Sequence, residues 1–138
     1  MRPYLLILLL LALLACEKTA FDIDPAKVYS PAELVEEIQG KCKNNHLWNG
    51  KQVTVSGMIG QPSTGRFLLL DERTRTPLTI MVAIKDSAEL AKATAFLQAN
   101  ELRKATITGT ARPEDMPTQL KCRTTIFVWI DNQNAVKL

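Results

Sequence analysis

Histidine is all but missing from this chain: His46 is the only one among 138 residues. It lies in the polar run Asn44-Asn45-His46, where an imidazole is solvated. A Ser-His-Asp or Cys-His arrangement needs a nucleophile placed beside it, and nothing marks one. Three cysteines and one distant histidine lack the ligand spacing of a zinc site. Glycines number six and form no phosphate-cradling loop, and there is no HExxH. Charge of one sign is not in surplus. The formal charge is +3, whereas a tight binder of a phosphate backbone carries a stronger, clustered excess of Lys and Arg. That balance neither supports nor excludes an anionic partner. Asp22 and Asp24 read as solvated carboxylates in a connecting segment. The residues give no catalytic apparatus, so the expectation is a non-enzyme with no dissociable cofactor and no metal.

A membrane-spanning run is missing as well. Leu5 to Leu14 is apolar, preceded by Arg2, but a span needs about 18 or more such residues. A short positive stretch and a short apolar stretch read as an export signal. The run ends in Leu13-Leu14-Ala15-Cys16, which resembles the bacterial lipobox, with Leu14 standing where Ala or Ser is more usual. That resemblance implies cleavage after Ala15, a diacylglycerol thioether on Cys16 and an acyl chain such as palmitate on its new amine. Two or more chains hold a protein stably at a bilayer, where one does not. Glu17, not Asp, follows the anchor, which points to the outer membrane, facing the periplasm, in a two-membrane envelope. Removing 15 of 138 residues leaves 123, one domain's worth. Without Arg2 the side-chain charge falls from +3 to +2.

Behind the leader (residues 1–15), residues 16–29 read as lipidated N-terminus and tether, and residues 30–138 as the domain. Ser30-Pro31-Ala32-Glu33 is a capping box with proline at the first helical position. Leu34, Ile38 and Cys42 continue it as an apolar stripe. Val53, Val55, Gly57 and Ile59 alternate with polar residues as a first strand, which Gln61 to Gly65 breaks. Arg66 to Leu70 reads as a second strand, and Asp71 to Thr76 as a charged turn. Leu78, Ile80 and Val82 mark a third strand. Asp86 to Leu102 reads as a helix with Leu90, Ala93 and Leu97 inward and Asn100 at its end. Arg103 to Thr110 reads as a fourth strand, Arg112 to Arg123 as a proline-containing loop, Thr124 to Asp131 as a fifth strand, and Ala135 to Leu138 as a tail.

Five strands with a helix between the third and fourth is the order of an OB-fold barrel. The phrase Trp48-Asn49-Gly50-Lys51-Gln52-Val53-Thr54-Val55-Ser56-Gly57, echoed by Thr106-Ile107-Thr108-Gly109, is similar to the opening strand of the tRNA-anti-like OB domains, which occur as small exported lipoproteins with a capped helix before the barrel. The resemblance implies a mostly β fold with two helices and leaves the ligand open, since fold does not fix function. It also places the start of the first barrel strand near the end of the fourth, and so Cys42 near Cys122. In an exported chain those two form either a disulfide closing a loop of about 80 residues or two unpaired buried thiols.

Two features suit binding. Arg66, Arg73 and Arg75 surround the second and third strands, the face OB folds commonly use, and Lys121 and Arg123 could join them. The other reading of these is ordinary surface charge. Phe127 and Trp129 share one face of the fifth strand, either covered or free to stack on a ligand; Trp48 is open to both readings. The expectation is a lipid-anchored binding or interaction module in the cell envelope, with an envelope protein, glycan or peptide as partner. The alternative is a nucleic-acid binder using Arg66, Arg73, Arg75 and exposed aromatics.

Overall fold

The computed structural model describes residues 22–38, 48–117 and 122–138, with the backbone course alone for 115–117 and 122–124. The expected leader, Cys16, Cys42, His46 and Lys121 therefore lie outside the described residues. Among those described, no helix is long and apolar enough to cross a membrane.

The elements run β1 (Val28–Tyr29), α1 (Pro31–Ile38), β2 (Gln52–Ser63), β3 (Arg66–Leu70), β4 (Pro77–Val82), α2 (Ser87–Ala99), β5 (Lys104–Pro117), β6 (Cys122–Ile130), a 3-10 turn (Gln133–Ala135) and β7 (Val136–Lys137). β2 to β6 close on themselves in the order β2-β3-β4-β6-β5, with β5 returning to β2. All ladders in the ring are antiparallel except β4 with β6. This is the five-stranded OB barrel, mostly β, with a helix between its third and fourth strands, as the order of elements suggested.

Alternation fills it. Val53, Val55, Ile59, Phe67, Leu69, Leu78, Ile80, Ile107, Ala111, Val128 and Ile130 point inward and are buried. The residues between them face out, as a period of two requires. Gly57 and Gly109 sit where neighbouring backbone comes too close for a side chain. A Cβ at Gly57 would lie 2.6 Å from the Leu70 carbonyl oxygen, and one at Gly109 2.6 Å from that of Trp129.

Each helix starts where its cap dictates. Ser30 Oγ accepts the Glu33 N–H at 3.2 Å and Glu33 returns the bond to the Ser30 N–H at 2.7 Å, the reciprocal capping box. The Ser30 N–H, and the Lys27 ammonium after it, hold the Glu33 carboxyl below its ordinary range. α1 lies across β2, β4 and β6, and its Leu34 and Ile38 join the core. Asp86 accepts the Glu89 N–H at 2.9 Å and starts α2, which Asn100 ends. Trp48 is fully buried, which settles its two readings in favour of the core.

Four segments differ from the sequence reading. β2 does not break at Gln61. Between the pairs Gly60–Leu68 and Ser63–Arg66 it carries one extra residue, a bulge, with Gln61 at φ +46, and so absorbs Pro62. The span Arg112 to Arg123 is mainly strand, because β5 runs to Pro117 and β6 begins at Cys122. The tail adds β7, paired with Thr106 and Ile107. Within the stretch read as a tether, Ile23 and Tyr29 are buried, Tyr29 Oη accepts the Asp24 N–H at 2.8 Å, and β1 pairs in parallel with Thr54 and Val55.

Candidate functional site

The barrel wall opens at one edge of β5, and main-chain direction shows why. Ala111 donates its N–H to the Lys51 carbonyl and accepts from the Gly50 N–H, both at 2.8 Å, so its main-chain groups face the β2 side. Direction alternates along a strand. Thr106, Thr108, Thr110 and Arg112 therefore aim theirs at the other edge. There Thr110 stands opposite Trp129 and Thr106 opposite Lys137. Thr108, in register with Thr54 of β2, has no register partner in β6 or β7, because the chain leaves the sheet after Ile130 and returns only at Val136.

A cleft of about 560 Å³ occupies this gap, within the usual range of small-ligand sites, roughly 300–1,000 Å³. Its floor is Gln52, Thr108 and Thr110, successive outward positions of β2 and β5. The hydroxyls of Thr54 and Thr108 lie 3.1 Å apart beside it. One wall is Trp129, with the Arg112 guanidinium 4.9 Å from its ring centroid, a diagonal pair across the β5–β6 ladder. The indole N–H is buried without an acceptor. The opposite wall is the turn from Asp131 to Ala135, with Lys137 beyond it. That turn is held in shape: Asn132 accepts the Ala135 N–H at 3.2 Å and donates to Asp131 at 2.7 Å. An adjoining hollow of about 260 Å³ shares Asn132 and Asn134. The ion pairs among the described residues are Lys27–Glu33, Lys51–Asp22 and Lys104–Glu72; none engages Arg112 or Lys137.

Of the sequence's candidate binding residues whose side chains are described, Trp129 alone lines this cleft. It and Phe127 share the outer face of β6, both half-buried. Arg66 lines a separate groove of about 380 Å³ with Ser63, Leu68 and Thr79, on the β3–β4 face. Arg73 and Arg75 lie past the far end of β3 in the turn before β4. A five-residue strand is about 16 Å long, so the three arginines do not converge. Arg75 contacts the Met58 sulfur at 3.5 Å. Of Arg123 and Cys122 the backbone course alone is described, opposite Met116 and Pro117.

That turn is built around Asp71, which is buried. Its carboxylate accepts the N–H groups of Arg73 at 2.9 Å, Thr74 at 3.0 Å and Ala32 at 3.3 Å. The bond from Thr74 foremost, with those from Arg73 and Ala32, lowers its pKa from 3.8 to about 2 against the cost of burial. Since Ala32 is in the first turn of α1, Asp71 ties that helix to the barrel and meets the positive end of its dipole. Its role is structural.

Sequence reading missed Arg112, Thr108, Gln52, Asn134 and Lys137. The signal for Arg112 was present: Thr106, Thr108, Thr110 and Arg112 continue one alternation, masked by the proline that follows.

Fold and site together define a small OB barrel with a polar, aromatic-walled cleft between its last two strands and its C-terminal turn. No family model matches the chain, and no curated protein does. Among solved structures the chain is similar to OBody AM3L09 bound to hen egg-white lysozyme. The two share 17% identity over 76% of this chain and 92% of that one, with a TM-score of 0.47.

Proposed function

We propose that this chain is an exported, lipid-anchored OB-fold module of the bacterial cell envelope that holds a ligand in the cleft beside Trp129 and carries out no chemistry on it. The observation that supports it best is the convergence of the Thr108 and Thr110 hydroxyl face, the Trp129–Arg112 stack and a pre-formed asparagine turn where β6 parts from β5 before β7 joins it. Pre-formed polar groups around an aromatic surface are what small-ligand sites are made of. The lipobox-like Leu13-Leu14-Ala15-Cys16 supports the compartment, and with it the pairing of Cys42 with Cys122.

The site is tested with a photo-crosslinking amino acid in place of Asn134, on the cleft rim, or of Arg73, in the distant turn, each expressed in cells. The reading expects an adduct from position 134 that Trp129→Ala abolishes, and no such adduct from position 73. The same adduct from both positions, unaffected by Trp129→Ala, overturns it. The anchor is tested separately with radiolabelled fatty acid: Cys16→Ala abolishes incorporation and leaves the leader uncleaved.

A further inference from the structure

We propose that the occupant of this cleft is an anionic saccharide: a sugar carrying a carboxylate or a phosphate, recognised through its hydroxyls on the Thr and Asn groups and through its charge by Arg112 and Lys137. The inference rests on reading the cleft as a binding site and goes on to name the chemistry of what fills it.

Three observations select that chemistry. The first is the kind of polar group present. Thr108, Thr110, Gln52 and Asn134 line the cleft, and hydroxyls and amides both donate and accept, as a ring of alternating hydroxyl groups requires. The second is charge. Arg112 and Lys137 flank the cleft without ion-pair partners among the described residues, and Asp131 is the single acid on its rim. The local balance of +1 suits one anionic group, and a planar guanidinium pairs with a carboxylate or phosphate through two parallel bonds. The third is the length of the open edge. β6 leaves β5 at Thr110 and β7 takes it up again at Ile107, so no run of successive main-chain groups is open along this edge. An extended peptide adds to a sheet through several successive residues, and no such run is free here. A nucleic-acid strand follows a basic track, and Arg66, Arg73 and Arg75 lie on other parts of the surface. A compact ring held by the side-chain hydroxyls and amides of the cleft fits this edge.

The test uses the full-length lipidated protein in detergent micelles on a glycan array of neutral, carboxylated and phosphorylated saccharides. A single-stranded oligothymidine and an unstructured threonine-rich peptide serve as further probes, and calorimetry follows on the best binder. Carboxylated or phosphorylated sugars should bind in preference to their neutral counterparts, and the array tells the two anions apart. Arg112→Gln and Lys137→Gln should each weaken binding by about tenfold, the scale of a lost charge-assisted hydrogen bond. Arg73→Gln should leave it unchanged. Equal binding of neutral and anionic sugars, or preferential binding of the peptide or the oligothymidine, overturns the inference. So does an array with no binder, and the crosslinking reading at Asn134 then still stands on its own result. Sugar binding that survives both Arg112→Gln and Trp129→Ala places the ligand elsewhere and overturns both readings.

Discussion

Asp71 is buried and Trp129 half-buried, and their buried polar atoms have opposite accounts. Asp71 is fully engaged: three backbone N–H groups converge on its carboxylate, and its pKa falls from 3.8 to about 2. Because the folded value is the lower one, the contribution is complete above about pH 4 and drains away as pH falls toward 2. A depression of that size is worth on the order of 2 kcal/mol. Asp71→Asn keeps the shape and removes the charge. Urea denaturation at pH 7 should therefore show a loss of about that size, and the decline in stability between pH 4 and pH 2 should flatten; a variant as acid-sensitive as the parent would contradict the account. Trp129 is unengaged at its indole N–H, and an orphaned buried donor costs about 1–3 kcal/mol. Trp129→Phe removes the donor and keeps a ring for Arg112 to cover. Thermal denaturation should show no loss of stability, and crosslinking from position 134 should drop. A variant that loses stability and keeps its adduct would mark the tryptophan as a core residue only.

At the level of elements, the first three barrel strands and both helices were legible because each carries its own period and cap. Val53, Val55 and Ile59 alternate, Leu34 and Ile38 recur at helical spacing, and Ser30–Glu33 and Asp86–Glu89 mark the starts. The far half of β5 was not legible, because Pro113 and Pro117 read as breakers. Their tolerance depends on which edge they face, and that is fixed by pairing distant in sequence. With Ala111 facing the β2 side, Pro113 and Pro117 point the same way, past the start of β2, where no ladder bond is required. Glu114 faces β6 opposite Thr125. Parity predicts an asymmetry between adjacent positions. Pro113→Ala should change stability by less than about 0.5 kcal/mol. Glu114→Pro should cost about 1–3 kcal/mol by removing a donor from the β5–β6 ladder and leaving its acceptor unpaired. Equal effects in urea denaturation would mean the strand does not continue as described. The same long-range dependence hid most of the cleft: Asn134 and Lys137 reach it only because β7 returns to β5 beyond the turn.

For the molecule as a whole, the proposed anchor and the cleft are tied together at one end of β2. Asp22, where the described chain begins, is ion-paired with Lys51, and the next residue, Gln52, is on the cleft floor. The Lys51 ammonium holds the Asp22 carboxyl below its ordinary range. From Cys16 to Asp22 the chain advances six residues, which fully extended span about 22 Å at most. A lipid on Cys16 would therefore keep Asp22 within that distance of the bilayer and the cleft one ion pair beyond it, near any ligand fixed to the same membrane. Effective concentration falls roughly as the three-halves power of tether length. Inserting a twenty-residue Gly-Ser segment between Glu17 and Lys18 lengthens the tether about fourfold, so capture of a membrane-fixed ligand from position 134 should fall about ninefold. Affinity for the same ligand in soluble form should not change, since no contact in the cleft is altered. Equal capture with and without the insertion would show that the ligand reaches the cleft from solution.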